Sequence, residues 1–159
     1  MQVKQDFLVR LEDTGKDFVL SNKGFLIMLT NLACIHGTRI GQGLMDREKC
    51  HLSWMVVGWR LVVDHRPLLC ETVHGTTWAS GYGRLQTTRD FVLHDQQGQA
   101  AAKATSSWLV LDEHNTRVLR MTPRSWSPMA WRRTSRPSPA MPSPGRPPPS
   151  PRSAPCRSR

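Results

Sequence analysis

The segment from Ser21 to Gly41 constrains this chain more than any other. Phe25, Met28, Leu29, Leu32, Cys34 and Ile35 recur at helical spacing, and Leu26, Ile27 and Ala33 widen the apolar stripe to most of the circumference. A helix with so little polar surface must be covered by other elements. Ser21 is placed to cap its start, because a serine hydroxyl accepts from an unpaired first-turn N–H. Gly37 and Gly41 supply residues that tolerate a left-handed helix end.

The surroundings of that helix read as strands. Phe7–Leu11 is a short first strand, closed by a turn at Asp13-Thr14-Gly15. Leu52–Val63, Leu68–Trp78, Arg84–Leu93 and Ala100–Leu111 follow, separated by Asp64–Pro67, Ala79–Gly83 and His94–Gly98. These runs of about 10–12 residues exceed the usual strand of about five or six. That length suits a sheet that curves around a helix of about five turns. The sequence therefore predicts an α+β class and a single hot-dog arrangement, a long central helix wrapped by a curved antiparallel sheet.

Charge and proline divide the chain. Residues 1–122 hold 14 Lys and Arg against 12 Asp and Glu, a net +2, whereas residues 123–159 hold 8 Arg and no acidic residue, a net +8. Eleven of the twelve prolines lie at or after Pro123. Beyond Trp131 the tail has too little apolar surface to offset an ordering cost of about 1–2 kcal/mol per residue. The reading is a domain over residues 1–122 and a disordered Pro/Arg/Ser-rich tail over 123–159. A genuine basic tail would suit nucleic acid, anionic membrane surfaces or modules that read polyproline. Its Pro, Arg, Ser and Ala composition also matches a GC-rich gene read out of frame, and this frameshift reading is preferred. The near-balanced front part leaves no footprint for nucleic acid.

Cys34, Cys50, Cys70 and Cys156 form no C-x-x-C pair, so neither a zinc site nor a disulfide framework is expected. No motif for a metal or organic cofactor is visible. The start, Met-Gln-Val-Lys-Gln-Asp, lacks the apolar run of a signal peptide, and Phe25–Leu29 is too short to span a bilayer. A cytoplasmic protein without a membrane span is expected.

An ordered set of residues is similar to a known family. Asn31-Leu32-Ala33, His36 and Ile40-Gly41-Gln42-Gly43 resemble the helix of acyl-acyl-carrier-protein thioesterases. Leu52–Trp59 resembles that family's Trp-containing strand. Arg66-Pro67, Glu71-Thr72-Val73, Thr77-Trp78, Arg89-Asp90-Phe91, Asp95 with Gly98, and Ala104–Val110 continue the series. The likeness covers about residues 5–122 and corresponds to the family's first hot-dog domain. It implies hydrolysis of fatty acyl thioesters to free fatty acids in fatty acid biosynthesis, with an acyl carrier protein as partner. It also implies a second hot-dog domain, missing here, or a homodimer in its place. The family's Asn-x-His motif belongs to that second domain and occurs nowhere in this sequence, so no catalytic residue is assigned. The chain reads as truncated before its catalytic half and inactive alone. Two alternatives are a non-catalytic hot-dog module for acyl binding or dimerisation, and a basic-tailed binder of nucleic acid or membrane surfaces.

Met28, Leu32, Trp54 and Trp59 are the candidate contacts for an acyl chain, which the resemblance supports. Trp54 and Trp59 are five residues apart and face opposite sides of a regular strand, unless a bulge intervenes near Gly58. Asn31 and His36 project about 140° apart on a helix and do not converge on one point. His36 reads as a helix-end or partly buried histidine with a backbone partner. Glu71 and Asp90 read as surface charges, and His65 and His94 as solvated turn residues.

Overall fold

The computed structural model describes residues 2–114 and 117–120. The predicted boundary at Pro123 and the tail lie outside the described residues. The elements are β1 (Gln2–Leu8), α1 (Asn22–Arg39), β2 (Leu52–Val63), β3 (Thr72–Tyr82), β4 (Thr87–His94), β5 (Ala100–Asp112) and a two-residue β6 (Arg117–Val118), besides short helical turns. All pairings are antiparallel, in the order β1-β3-β4-β5-β2, with β6 added to β5 beyond the end of β4. The sheet curves as a half-barrel around one helix, which is the hot-dog arrangement.

The predicted helix forms over nearly its full extent. Ser21 caps it: its hydroxyl accepts from the Gly24 N–H at 3.0 Å and donates to the Asp13 carbonyl at 2.8 Å. Phe25, Leu29, Leu32 and His36, spaced four, three and four residues apart, form the face turned to the sheet. Burying each large apolar side chain of that face contributes roughly 1.5–3 kcal/mol. The cover is one-sided, not all round. Ile27 is 39% exposed and Lys23, Thr30 and Asn31 are exposed, because polar residues interrupt the stripe along that side.

The sheet receives the helix through small residues. Ala102, Ala104 and Ser106 lie on the inner face of β5, and Gly75 on β3. A Cβ at Gly75 would lie 3.1 Å from Leu32, from Leu93 and from Phe7. Val3, Val9, Leu20, Val73, Phe91 and Leu93 complete the core.

Three strands differ from expectation. The first runs Gln2–Leu8, not Phe7–Leu11: alternation beginning at buried Val3 sets β1 against β3, and Leu11–Asp13 is a 3-10 turn. The strand expected at Leu68 begins at Thr72, because Cys70 has a left-handed φ of 68° and the Leu68 N–H bonds the Glu71 carboxylate at 2.8 Å. It continues through Tyr82 by a register shift between Ala79 and Gly81, where a turn was expected. The strand expected from Arg84 begins at Thr87. No helix among the described residues is long and apolar enough to cross a membrane.

Candidate functional site

The concave face of the sheet is divided into two zones. Two rows run across it from β3 to β2 as Gly75–Leu93–Ala102–Val63 and Thr77–Phe91–Ala104–Leu61, and they are almost wholly apolar. The next row, Ala79–Arg89–Ser106–Trp59, carries the polar groups. Alternation along β4 sends Thr87, Arg89, Phe91 and Leu93 to the same inner face. Arg89 is thereby turned under the last turns of α1.

There the Nη1 of Arg89 lies 2.5 Å from the Nδ1 of His36 and donates to it. His36 lies in the last turn of α1 as expected and is only 4% exposed, but its partner is the Arg89 side chain and not backbone. Burial, followed by the Arg89 charge, lowers its pKa to about 4, and the ring is neutral at physiological pH. A ring that accepts at Nδ1 carries its proton on Nε2. Burial likewise lowers Arg89 to about 10, with the Cys34 thiol opposing, and the guanidinium stays charged. Nη1 of Arg89 also reaches the Thr77 hydroxyl at 3.4 Å, and that hydroxyl donates to the Asp90 carbonyl at 2.9 Å. Beside them the Trp108 Nε1 donates to the Ser106 hydroxyl at 2.6 Å.

The other candidates are distributed around this face. Met28 and Leu32 are buried against the sheet. A bulge between Val56 and Gly58 puts Trp54 and Trp59 on one face, opposite Val110 and Ser106 of β5. Trp59 packs on Phe91 at 5.3 Å and edge-on to Trp108 at 6.4 Å between ring centroids. Asn31 is exposed on the opposite side of α1, where Lys23, Leu26, Ile27, Thr30 and Asn31 line a shallow groove of about 520 Å³. It does not meet His36. Asp90 faces outward and accepts from the Thr105 hydroxyl at 2.8 Å. His65 pairs with Asp95 at 2.9 Å. No group of three or more His, Cys, Asp or Glu able to hold a metal ion occurs among the described residues. Sequence reasoning passed over Arg89 as a site residue; its signal was a cation at an inward position of an alternating strand.

The architecture is that of the hot-dog thioesterases. The profile of the acyl-ACP thioesterase N-terminal domain matches residues 1–129, and the chain belongs to that family. Oleoyl-acyl carrier protein thioesterase 2 of Arabidopsis thaliana, a chloroplastic protein, is 26% identical over 126 residues. That alignment takes in 75% of this chain and 34% of the relative, so the chain spans about a third of that protein's length. An acyl-ACP thioesterase from Bacteroides thetaiotaomicron superposes with a TM-score of 0.70 at 20% identity, over 76% of this chain and 49% of that one. A DHNA-CoA thioesterase from Staphylococcus aureus superposes with a TM-score of 0.69 at 16% identity, over 83% of this chain and 89% of its own. The described fold is thus about half of the Bacteroides protein and nearly all of the Staphylococcus one.

Proposed function

We propose that this domain holds the hydrocarbon of a fatty acyl thioester carried on acyl carrier protein, as the acyl-binding half of a thioesterase that releases free fatty acid during fatty acid biosynthesis. One observation carries the reading. Met28, Leu32, Trp54 and Trp59 all belong to the helix–sheet side of the domain, with the polar row that ends at Trp59 running between Leu32, beside Gly75, and Trp54, opposite Val110. An apolar bed crossed by a row of convergent polar groups suits an amphiphile. Family membership supports the substrate class.

Hydrolysis needs a base for water and donors for an oxyanion. His36 is the buried candidate for the base, but its Nδ1 is occupied by Arg89 and its basicity is low. We therefore propose that the chain by itself turns over little or no substrate and works against a second hot-dog unit, from another domain or a second copy. The non-catalytic acyl-binding module is the second reading, favoured by the same occupied histidine. The domain boundary at residue 122, a frameshifted tail and a cytoplasmic location remain part of this proposal.

The test is turnover of acyl-acyl-carrier-protein and acyl-coenzyme A by the full chain, alongside equilibrium binding of acyl chains. Saturable binding, weakened by Met28→Asp, with negligible turnover is expected. Turnover abolished by His36→Ala would overturn the claim of inactivity. Absence of any acyl binding would overturn the acyl-holding role.

A further inference from the structure

Arg89 is a partly buried cation whose assigned partners are all neutral. Its two acceptors are the His36 ring and the Thr77 hydroxyl, and both contacts use Nη1. No ion pair involves Arg89 among the described residues. The neighbouring carboxylate, Asp90, is turned to the outer face by strand alternation and held there by Thr105. Removing a guanidinium from water without an anion is costly, and buried charges are ordinarily paired. The cluster is not sealed: Arg89, Trp59 and Trp108 are each half-buried.

The donors left over define the ligand. Nε and Nη2 of the guanidinium are unused by the two contacts, and they form one edge of a planar fork that matches two carboxylate oxygens. His36 adds a donor, not an acceptor, at Nε2. The next inward residue along β4 is Phe91, and Trp59 lies in the same cross-strand row as Arg89. Apolar surface thus begins immediately beside the charge.

We propose that Arg89, held in place by His36 and Thr77, is a subsite for the carboxylate head of a hydrocarbon-chain acid, the class of product that thioester hydrolysis would release. The hydrocarbon part rests on the acyl-holding function proposed above; the anion part rests on Arg89 alone. The site would retain free acid and make it compete with incoming thioester.

The experiment is titration calorimetry of the full chain with sodium octanoate and, as the neutral counterpart, 1-octanol. Octanoate is expected to bind at least roughly tenfold more tightly than octanol, the scale of one charge-assisted pair. Arg89→Met should bring the two ligands together, and Arg89→Lys should keep part of the difference because it retains charge but loses the fork. Equal affinities in the unaltered chain would overturn the subsite while leaving the acyl-holding function standing; this arm needs no variant to fold. A difference that survives in a folded Arg89→Met would overturn it also. Inorganic phosphate displacing octanoate at equal concentration would reassign the site to phosphate and overturn the carboxylate. Binding of neither octanoate nor octanol would overturn both the subsite and the acyl-holding function.

Discussion

Trp54 and Trp59 lie on the same face of β2 although they are five residues apart, because Val57 is bulged out between paired Val56 and Gly58. The bulge removes one position from the strand's count, so the two rings behave as if four apart. Without it one indole would face away from the helix.

This relationship predicts an asymmetry between two deletions. Deleting Val57, which is 45% exposed, leaves a regular strand with both indoles still on one face. Stability should fall by less than about 1 kcal/mol, and the near-ultraviolet circular dichroism should be retained. Deleting exposed Arg60 places Trp59 directly before Leu61 and turns one of them out of the core, a register error along the whole strand. A loss above about 3 kcal/mol, or failure to fold, is expected in urea unfolding.

The helix start offers a second contrast. A Cβ at Gly24 would lie 2.3 Å from the Asp13 carbonyl oxygen and 2.6 Å from Leu20, and backbone cannot yield as a side-chain tip does. Gly58 meets nothing within 4 Å. Gly24→Ala should cost about 3 kcal/mol or more and Gly58→Ala close to nothing, read as thermal midpoints under one buffer. Ser21→Ala, which removes both the cap and the bond to Asp13, should cost about 1–2 kcal/mol.

His36 sets a pH dependence with a definite sign. The unfolded chain protonates it near 6.5, and the folded protein only near 4. Between those values the unfolded state binds more protons, so stability is fully present above about 6.5 and declines as pH falls toward 4. The loss approaches about 3 kcal/mol at most. Asp95, held below its ordinary value against burial by the Gln99 and Gln97 N–H groups and by His65, adds a further loss as pH drops below 3.8. Urea titrations at pH 7 and pH 5 should show the first decline, and His36→Asn, which keeps an acceptor for Arg89 but does not titrate, should flatten it. An unchanged slope in that variant would refute the assignment.

The outer edge of β2 pairs with nothing among the described residues and displays Met55, Val57 and Val62 at its exposed face. Such an edge invites another strand. Sedimentation should detect self-association that a Met55→Lys, Val57→Lys double variant reduces at least severalfold. A strictly monomeric chain at high concentration would count against a second copy as the second unit.

Much of this was legible along the chain because it depends on neighbours within one element. The apolar recurrence from Phe25 to Ile35 made α1, the Ser21 hydroxyl placed its start, and β2 formed over the very residues, Leu52–Val63, that their composition marks out. The ordered motifs across residues 5–122 indicated the family that the profile match establishes. Tertiary structure decided what depends on a second strand. Whether Trp54 joins Trp59 is fixed by the register of β2 on β5, and where β3 begins is fixed by a left-handed Cys70 that composition does not announce. The meeting of His36 and Arg89, 53 residues apart, arises only when β4 passes beneath the end of α1. Periodicity reports which side of its own element a residue takes; the side chain that waits there is set by packing.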